Sequence, residues 1–215
     1  MLRDNAESTK MRILYDASAR ATATSPSLNE CLETGPPLQN KLWSVLTRNR
    51  FYLVAIAGDI KQAFPQVWIW EADRDAVRFH WLKDLRTKQA EVLWFTRALF
   101  GLGPSPFLLA AVIKEHFRNC RHVHPKIVEE IERSLYVDDL FGGGETTDHA
   151  RQLKQTAQSV FGEATFELFK WHSNVPSLKA ETVEAEDKNP NKKNPNKNLS
   201  TWAPKFHLTV YPSST

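Results

Sequence analysis

Three aspartates are the side chains of this chain best placed to do chemistry. Leu135-Tyr136-Val137-Asp138-Asp139-Leu140-Phe141 is an apolar run broken by two adjacent acids and then resumed, the pattern of a tight hairpin tipped by carboxylates. Adjacent carboxylates repel, and apolar surroundings raise the cost of keeping them ionised, so a counter-ion is expected. A divalent cation suits that role, and Mg²⁺ favours oxygen donors. Val54-Ala-Ile-Ala-Gly-Asp59 is a second apolar segment ending in an acid, followed by a turn into Ile60-Lys-Gln-Ala-Phe64. Two acid-tipped strands about 79 residues apart could converge as neighbours and hold two metals about 4 Å apart, as in-line phosphoryl transfer requires. A solvated Asp-Asp turn and a strand that simply ends in Asp are the plainer explanations of these residues. His116, Cys120, His122 and His124 also lie close together. Their spacing fits no common zinc pattern, straddles an expected helix end and lacks a completing ligand, so they are not assigned a metal.

The elements that must position these acids follow from periodicity and punctuation. Ser105-Pro106 before Phe-Leu-Leu-Ala-Ala-Val-Ile predicts a helix with Ser105 as its N-cap. A second helix is expected from Pro125, with Ile127, Val128 and Ile131 on one face. A third is expected from Thr146 or Thr147 through Ala150, Leu153, Ala157, Val160 and Phe161, stopping at Gly162. Strands are predicted at 51–57, 66–71, 76–82, 91–98, 133–137, 140–142 and 165–171, with Asp73-Arg-Asp75 turning the second into the third. Strands and helices mix without strict βαβ alternation. That predicts an α+β fold, a mostly antiparallel sheet with helices on one face. Trp68, Trp70, Trp81 and Trp94 are read as hairpin packing rather than base-stacking platforms.

Composition narrows the classes. Of 215 residues 41% are apolar, with 12 Phe, 7 Trp and 4 Tyr, enough for a core and against wholesale disorder. No apolar run is longer than Phe107 to Ile113, far short of the about 20 residues a membrane helix needs. The first ten residues have no apolar stretch of a secretory signal, and two cysteines build no disulfide framework. An intracellular protein, cytoplasmic or nuclear and away from membranes, is expected. The formal charge of +3 arises in the tail: from Lys188 onward there are five lysines and no acids, leaving 23 basic against 25 acidic residues before it. The basic balance therefore does not by itself predict nucleic-acid binding. Lys188-Asn-Pro-Asn-Lys192 repeats at Lys193-Asn-Pro-Asn-Lys197, and 176–215 is expected to be a low-complexity, largely disordered tail.

Tyr136-Val-Asp-Asp139 with Asp59 resembles the carboxylate set of a reverse transcriptase palm, and further motifs follow in the same order. They are Met11-Arg12-Ile-Leu-Tyr-Asp16-Ala-Ser18, Ser27-Leu28-Asn29 with Gly35-Pro36 and Leu38-Gln39, Phe100-Gly101 with Pro104-Ser-Pro106-Phe, and Phe166-Glu-Leu-Phe-Lys170-Trp-His-Ser-Asn174. Over roughly residues 10–175 the set resembles the reverse transcriptase of BEL/Pao-type long-terminal-repeat retrotransposons. The resemblance implies partial fingers over 1–52 and a polymerase palm over 53–175, with a short fingers insertion around 78–98. It also implies an RNA or DNA template with its primer, dNTPs as substrates and two Mg²⁺ ions, with Mn²⁺ as a substitute. By the same resemblance Asp59 and Asp138 would ligate both metals and Asp139 would support them. Arg12 would contact the triphosphate, a guanidinium being suited to bidentate phosphate binding. Phe64 would sit beneath the incoming sugar and reject a 2′-hydroxyl. Gly101, Ser105 and Pro106 would pack on template and nucleotide, Tyr136 would lie near the primer end, and Lys170 would protonate the leaving pyrophosphate. A surface cation, a core aromatic and a strand-edge lysine are the bland alternatives for Arg12, Phe64 and Lys170.

Departures from that pattern temper the expected activity. No thumb, ribonuclease H, integrase or protease pattern follows Asn174, so weak and poorly processive polymerisation is expected, since duplex is held largely through phosphate contacts. Two other classes compete: a truncated retroelement remnant with the palm fold but no turnover, and an unrelated two-metal palm enzyme such as a nucleotide cyclase. Phe64 and Arg12 at their spacing from the acids argue against the last.

Overall fold

A computed structural model describes residues 15–84 and 86–179. Arg12, the Asn-Pro-Lys repeats and the segment around Trp202 lie outside the described residues. In chain order the elements are α1 (Leu28–Cys31), α2 (Leu42–Asn49), β1 (Val54–Ile60), α3 (Ala63–Gln66), β2 (Arg78–Asp84), β3 (Gln89–Trp94), α4 (Ser105–Cys120), α5 (Pro125–Ser134), β4 (Leu135–Tyr136), β5 (Asp139–Gly144), α6 (Thr147–Glu163) and β6 (Leu168–Ser173). The fold is α+β. One antiparallel sheet runs β4-β5-β1-β6, and β2-β3 form a separate two-stranded hairpin.

Strand β1 shows why the sheet has two unlike faces. Its side chains alternate, and Val54, Ile56, Gly58 and Ile60 are buried while Ala55, Ala57 and Asp59 are only partly covered. The buried face lies against α5 and α6. Helix α6 presents Ala150, Leu153, Ala157, Val160 and Phe161 at helical spacing, and α5 presents Val128 and Ile131. Burying each large aliphatic side chain of this seam contributes about 1.5–3 kcal/mol. Close approach of α6 depends on Gly142, where a Cβ would stand 2.7 Å from Leu153 Cδ2. The opposite face carries Asp59 and remains open.

Several predicted elements are displaced. Strand β1 runs on through Asp59 to Ile60 rather than ending at 57, and β4 is confined to two residues because α5 continues to Ser134. Residues 66–71 are not a strand. Val67 and Ile69 are buried and Trp68 is exposed, as alternation requires, but a single bridge to Arg97 is all the pairing available. Asp73-Arg-Asp75 does not turn a hairpin; it lies within a 3₁₀ segment over Glu71–Val77, and the true hairpin turn follows Asp84. Helix α4 is capped by Pro104, not Ser105: Leu108 N–H donates to Pro104 O at 3.0 Å, which puts Ser105 inside the first turn. Helix α6 passes Gly162 and ends at Glu163, with the left-handed residue at Thr165 instead. The ordered chain also outruns 175. Pro176–Leu178 form a 3₁₀ turn whose buried Leu178 accepts a hydrogen bond from Lys154 Nζ at 3.0 Å, so the apolar Leu178 anchors what the composition assigned to the tail. Among the described residues, no helix is long and apolar enough to cross a membrane.

Candidate active site on the open sheet face

The cross-strand register brings the acids together. Asp59 in β1 stands directly opposite Asp139 in β5. Ile60 N–H donates to Asp138 O at 2.8 Å. Hydrogen-bonded and non-bonded pairs alternate along an antiparallel ladder, so 59/139 is a non-bonded pair, the kind whose side chains approach closest. Asp138 occupies the two-residue turn between Tyr136 and Asp139, next to Val137 at φ 53°. A β-branched residue in the left-handed region is an outlier, and the tight turn imposes it.

Electrostatics agree with this crowding. Partial burial pushes the Asp138 carboxyl above its usual range, and the Asp59 charge adds to the rise. Burial likewise raises Asp139, with Asp138 and Asp59 both contributing. Desolvation and like charge both oppose ionisation of a carboxylate. Among the described residues the cation in contact is Lys170, whose Nζ lies 3.6 Å from Asp59 Oδ2. A bulge puts it there. Ala57 pairs with His172 and Asp59 with Phe169, so Lys170 and Trp171 together face the single residue Gly58, and Lys170 takes φ 48°. With three acids and one lysine the site keeps a negative excess. An all-oxygen, negatively charged donor set fits an oxygen-seeking divalent cation such as Mg²⁺.

The remaining site residues surround this cluster unevenly. Phe64 follows β1 through a turn with Gln62 at φ 50°; it is buried, and its ring meets Phe100 edge-on at 4.6 Å. Tyr136 is half-buried and pairs with Asp139 across the turn. Gly101 is exposed at φ 88°, a conformation that side chains rarely adopt. Pro106 is half-buried, whereas Ser105 is 1% exposed and its Oγ has no hydrogen-bond partner among the described residues, so Ser105 has no surface to offer a ligand. Asp59, Asp138 and Asp139 are all partly exposed on this face. The hollow lined by Lys126, Ile127, Glu130 and His149, about 270 Å³, is formed by residues of α5 and α6 and includes none of the aspartates.

Compared with models of known protein families the sequence matches none, and comparison with curated proteins also gives no match.

Two supporting residues escaped sequence reasoning. Asn29 donates to Gly101 O and accepts from Gly103 N–H, both at 2.8 Å, clamping the loop before α4. Asn174 accepts from Ala55 N–H at 2.9 Å and donates to Leu53 O at 2.8 Å, fixing the start of β1 to the end of β6. Both stand in segments singled out as motifs, but an asparagine carries no sequence mark of its partner. The tryptophans also differ from the packing expectation: Trp81 and Trp94 are half exposed on the β2–β3 hairpin, and Trp68 stacks under the Arg97 guanidinium at 3.3 Å.

Proposed function

We propose that this chain is the RNA-directed DNA polymerase domain of a BEL/Pao-type retrotransposon, with a palm built on the β4-β5-β1-β6 sheet. The observation that carries this reading is the register of Asp59 against Asp139, with Asp138 at the adjoining turn. It joins the Asp59 segment to the Tyr136–Asp139 segment, and β6 with Lys170 runs along the other side of β1. Asp59 and Asp138 would hold two Mg²⁺ ions, and Asp139 would add negative charge beside them. Bound there, the metals would neutralise phosphate charge and favour the deprotonated primer 3′-hydroxyl.

The chain's own residues supply the rest. Tyr136 flanks the turn on the primer side. The Phe64 ring, packed edge-on against Phe100, would need only its outer edge beneath the sugar to exclude a 2′-hydroxyl and select deoxynucleotides. Lys170, bulged toward Asp59, holds the proton that the departing pyrophosphate oxygen receives. Gly101 and Pro106 line the nucleotide side, with Ser105 fixing the turn beneath them, and Arg12 would meet the triphosphate. The β2–β3 hairpin corresponds to the fingers insertion. Nucleotide and primer–template are the partners this assigns.

Magnesium-dependent thermal stabilisation tests the site apart from turnover. Mg²⁺ is expected to raise the melting temperature of the wild type, and Asp138→Asn to abolish the rise. Equal or absent stabilisation in both would leave a retroelement remnant, a palm without its metal site, as the correct description.

A further inference from the structure

We propose that His116, Cys120 and Glu163 form a zinc site joining the C-terminal ends of α4 and α6. The site is separate from the aspartates and independent of the polymerase reading. Among the described residues this is the group whose nitrogen, sulfur and oxygen ligand atoms all lie within 4.8 Å of one another. His116 and Cys120 are one helical turn apart in α4 and both buried, while Glu163 is the exposed last residue of α6. Cys120 Sγ lies 3.5 Å from Glu163 Oε2, and 3.4 and 3.9 Å from His116 Nε2 and Nδ1.

Three features point to a metal. First, His116 Nε2 lies 2.6 Å from Val160 O. A carbonyl only accepts, so Nε2 carries the hydrogen and the lone pair of the neutral ring is on Nδ1. A ligating histidine whose other ring N–H is held by a backbone carbonyl has its tautomer and orientation fixed. Second, Cys120 and Glu163 each end a helix, so the negative ends of two helix dipoles converge on the cluster and favour a cation. Third, one sulfur, one nitrogen and one carboxylate oxygen match the mixed, borderline-soft preference of Zn²⁺, leaving a fourth position for water. The thiolate is the ligand form, so metal binding displaces the Cys120 proton from Sγ to solvent. His122 and His124, neighbours in sequence, are exposed beyond the end of α4 and take no part.

Co²⁺ titration of the full chain under reducing conditions tests this, because a cobalt–thiolate bond gives a near-ultraviolet charge-transfer band that a hydrogen-bonded thiol lacks. One equivalent should generate the band, and Zn²⁺ should displace it. Cys120→Ser should lose the band, whereas Cys31→Ser and the double variant His122→Ala, His124→Ala should retain it. Glu163→Gln alters an exposed side chain and leaves the buried pair intact; it should weaken Co²⁺ binding by at least about tenfold. No band in the wild type, or unchanged affinity in Glu163→Gln, would reduce the cluster to a hydrogen-bonded triad and overturn the proposal. A band that follows Cys31 instead would overturn it as well.

Discussion

Replacing Asp139 by Asn should make the metal-free protein more stable, which is the opposite of what removing a structural carboxylate does. Residues directly opposed in a ladder have Cβ atoms about 5 Å apart. Two unit charges at that distance repel by about 1–3 kcal/mol for effective dielectric constants from 80 down to 20. Lys170 offsets part of this at Asp59, and the Asp59 side chain is 33% exposed, so solvent screening brings the expected gain down to about 1 kcal/mol. For a domain of this size that is roughly 2–4 °C in melting temperature. The sign with pH follows from the raised carboxyls of Asp138 and Asp139. The folded state holds these protons more tightly than the unfolded chain. Wild-type stability is therefore favoured below the ordinary carboxylate range, and falls as pH rises from that range through the raised folded values. The variant's advantage should thus be full at pH 7 and shrink toward pH 4. Urea unfolding in chelator at both pH values measures it. A variant less stable than wild type at pH 7, or an advantage that does not shrink on acidification, would refute the reasoning.

Further outcomes follow from individual contacts. Gly143→Ala should cost about 2 kcal/mol or more in denaturant unfolding, because its Cβ would stand 2.3 Å from Val54 O, a backbone atom that cannot yield. Gly162→Ala, with nothing within 4 Å of the added methyl, should instead stabilise α6 by about 0.5–1 kcal/mol. Lys170→Met removes an exposed ion pair, so its stability should change by less than about 1 kcal/mol. Its single-turnover rate should nonetheless fall on the order of 10²-fold. Asn29→Ala breaks both clamps on the 101–103 loop and should cost about 1–2 kcal/mol, with a raised KM for dNTP in steady-state assays.

The acids were legible in the sequence because a charge inside an apolar run is costly wherever the run folds. The α+β class, the helices at 105, 125 and 147 and the two arms of the 78–94 hairpin followed from periodicity in the same way. Pairing was not legible. Alternation at 66–71 gives the buried residues correctly, yet whether a segment becomes a strand depends on its partner, and residues 96–98 offer too few to pair with it. Gly58 resembles a strand terminator, but it is required inside β1, where a Cβ would meet the Trp171 ring at 3.0 Å. The bulge that turns Lys170 toward Asp59 has no local signal, since neither Lys170 nor its neighbours favour the left-handed region. Glu163 joins His116 and Cys120 only through the packing of α6 on α4, across more than forty residues of sequence.

Single-nucleotide primer extension on an RNA template with Mg²⁺, comparing wild type with Asp138→Asn plus Asp139→Asn, tests the polymerase assignment most directly. Incorporation by the wild type alone, with dNTP favoured over rNTP, is the expected result. No incorporation by a well-folded wild type, or equal incorporation by the double variant, would contradict it.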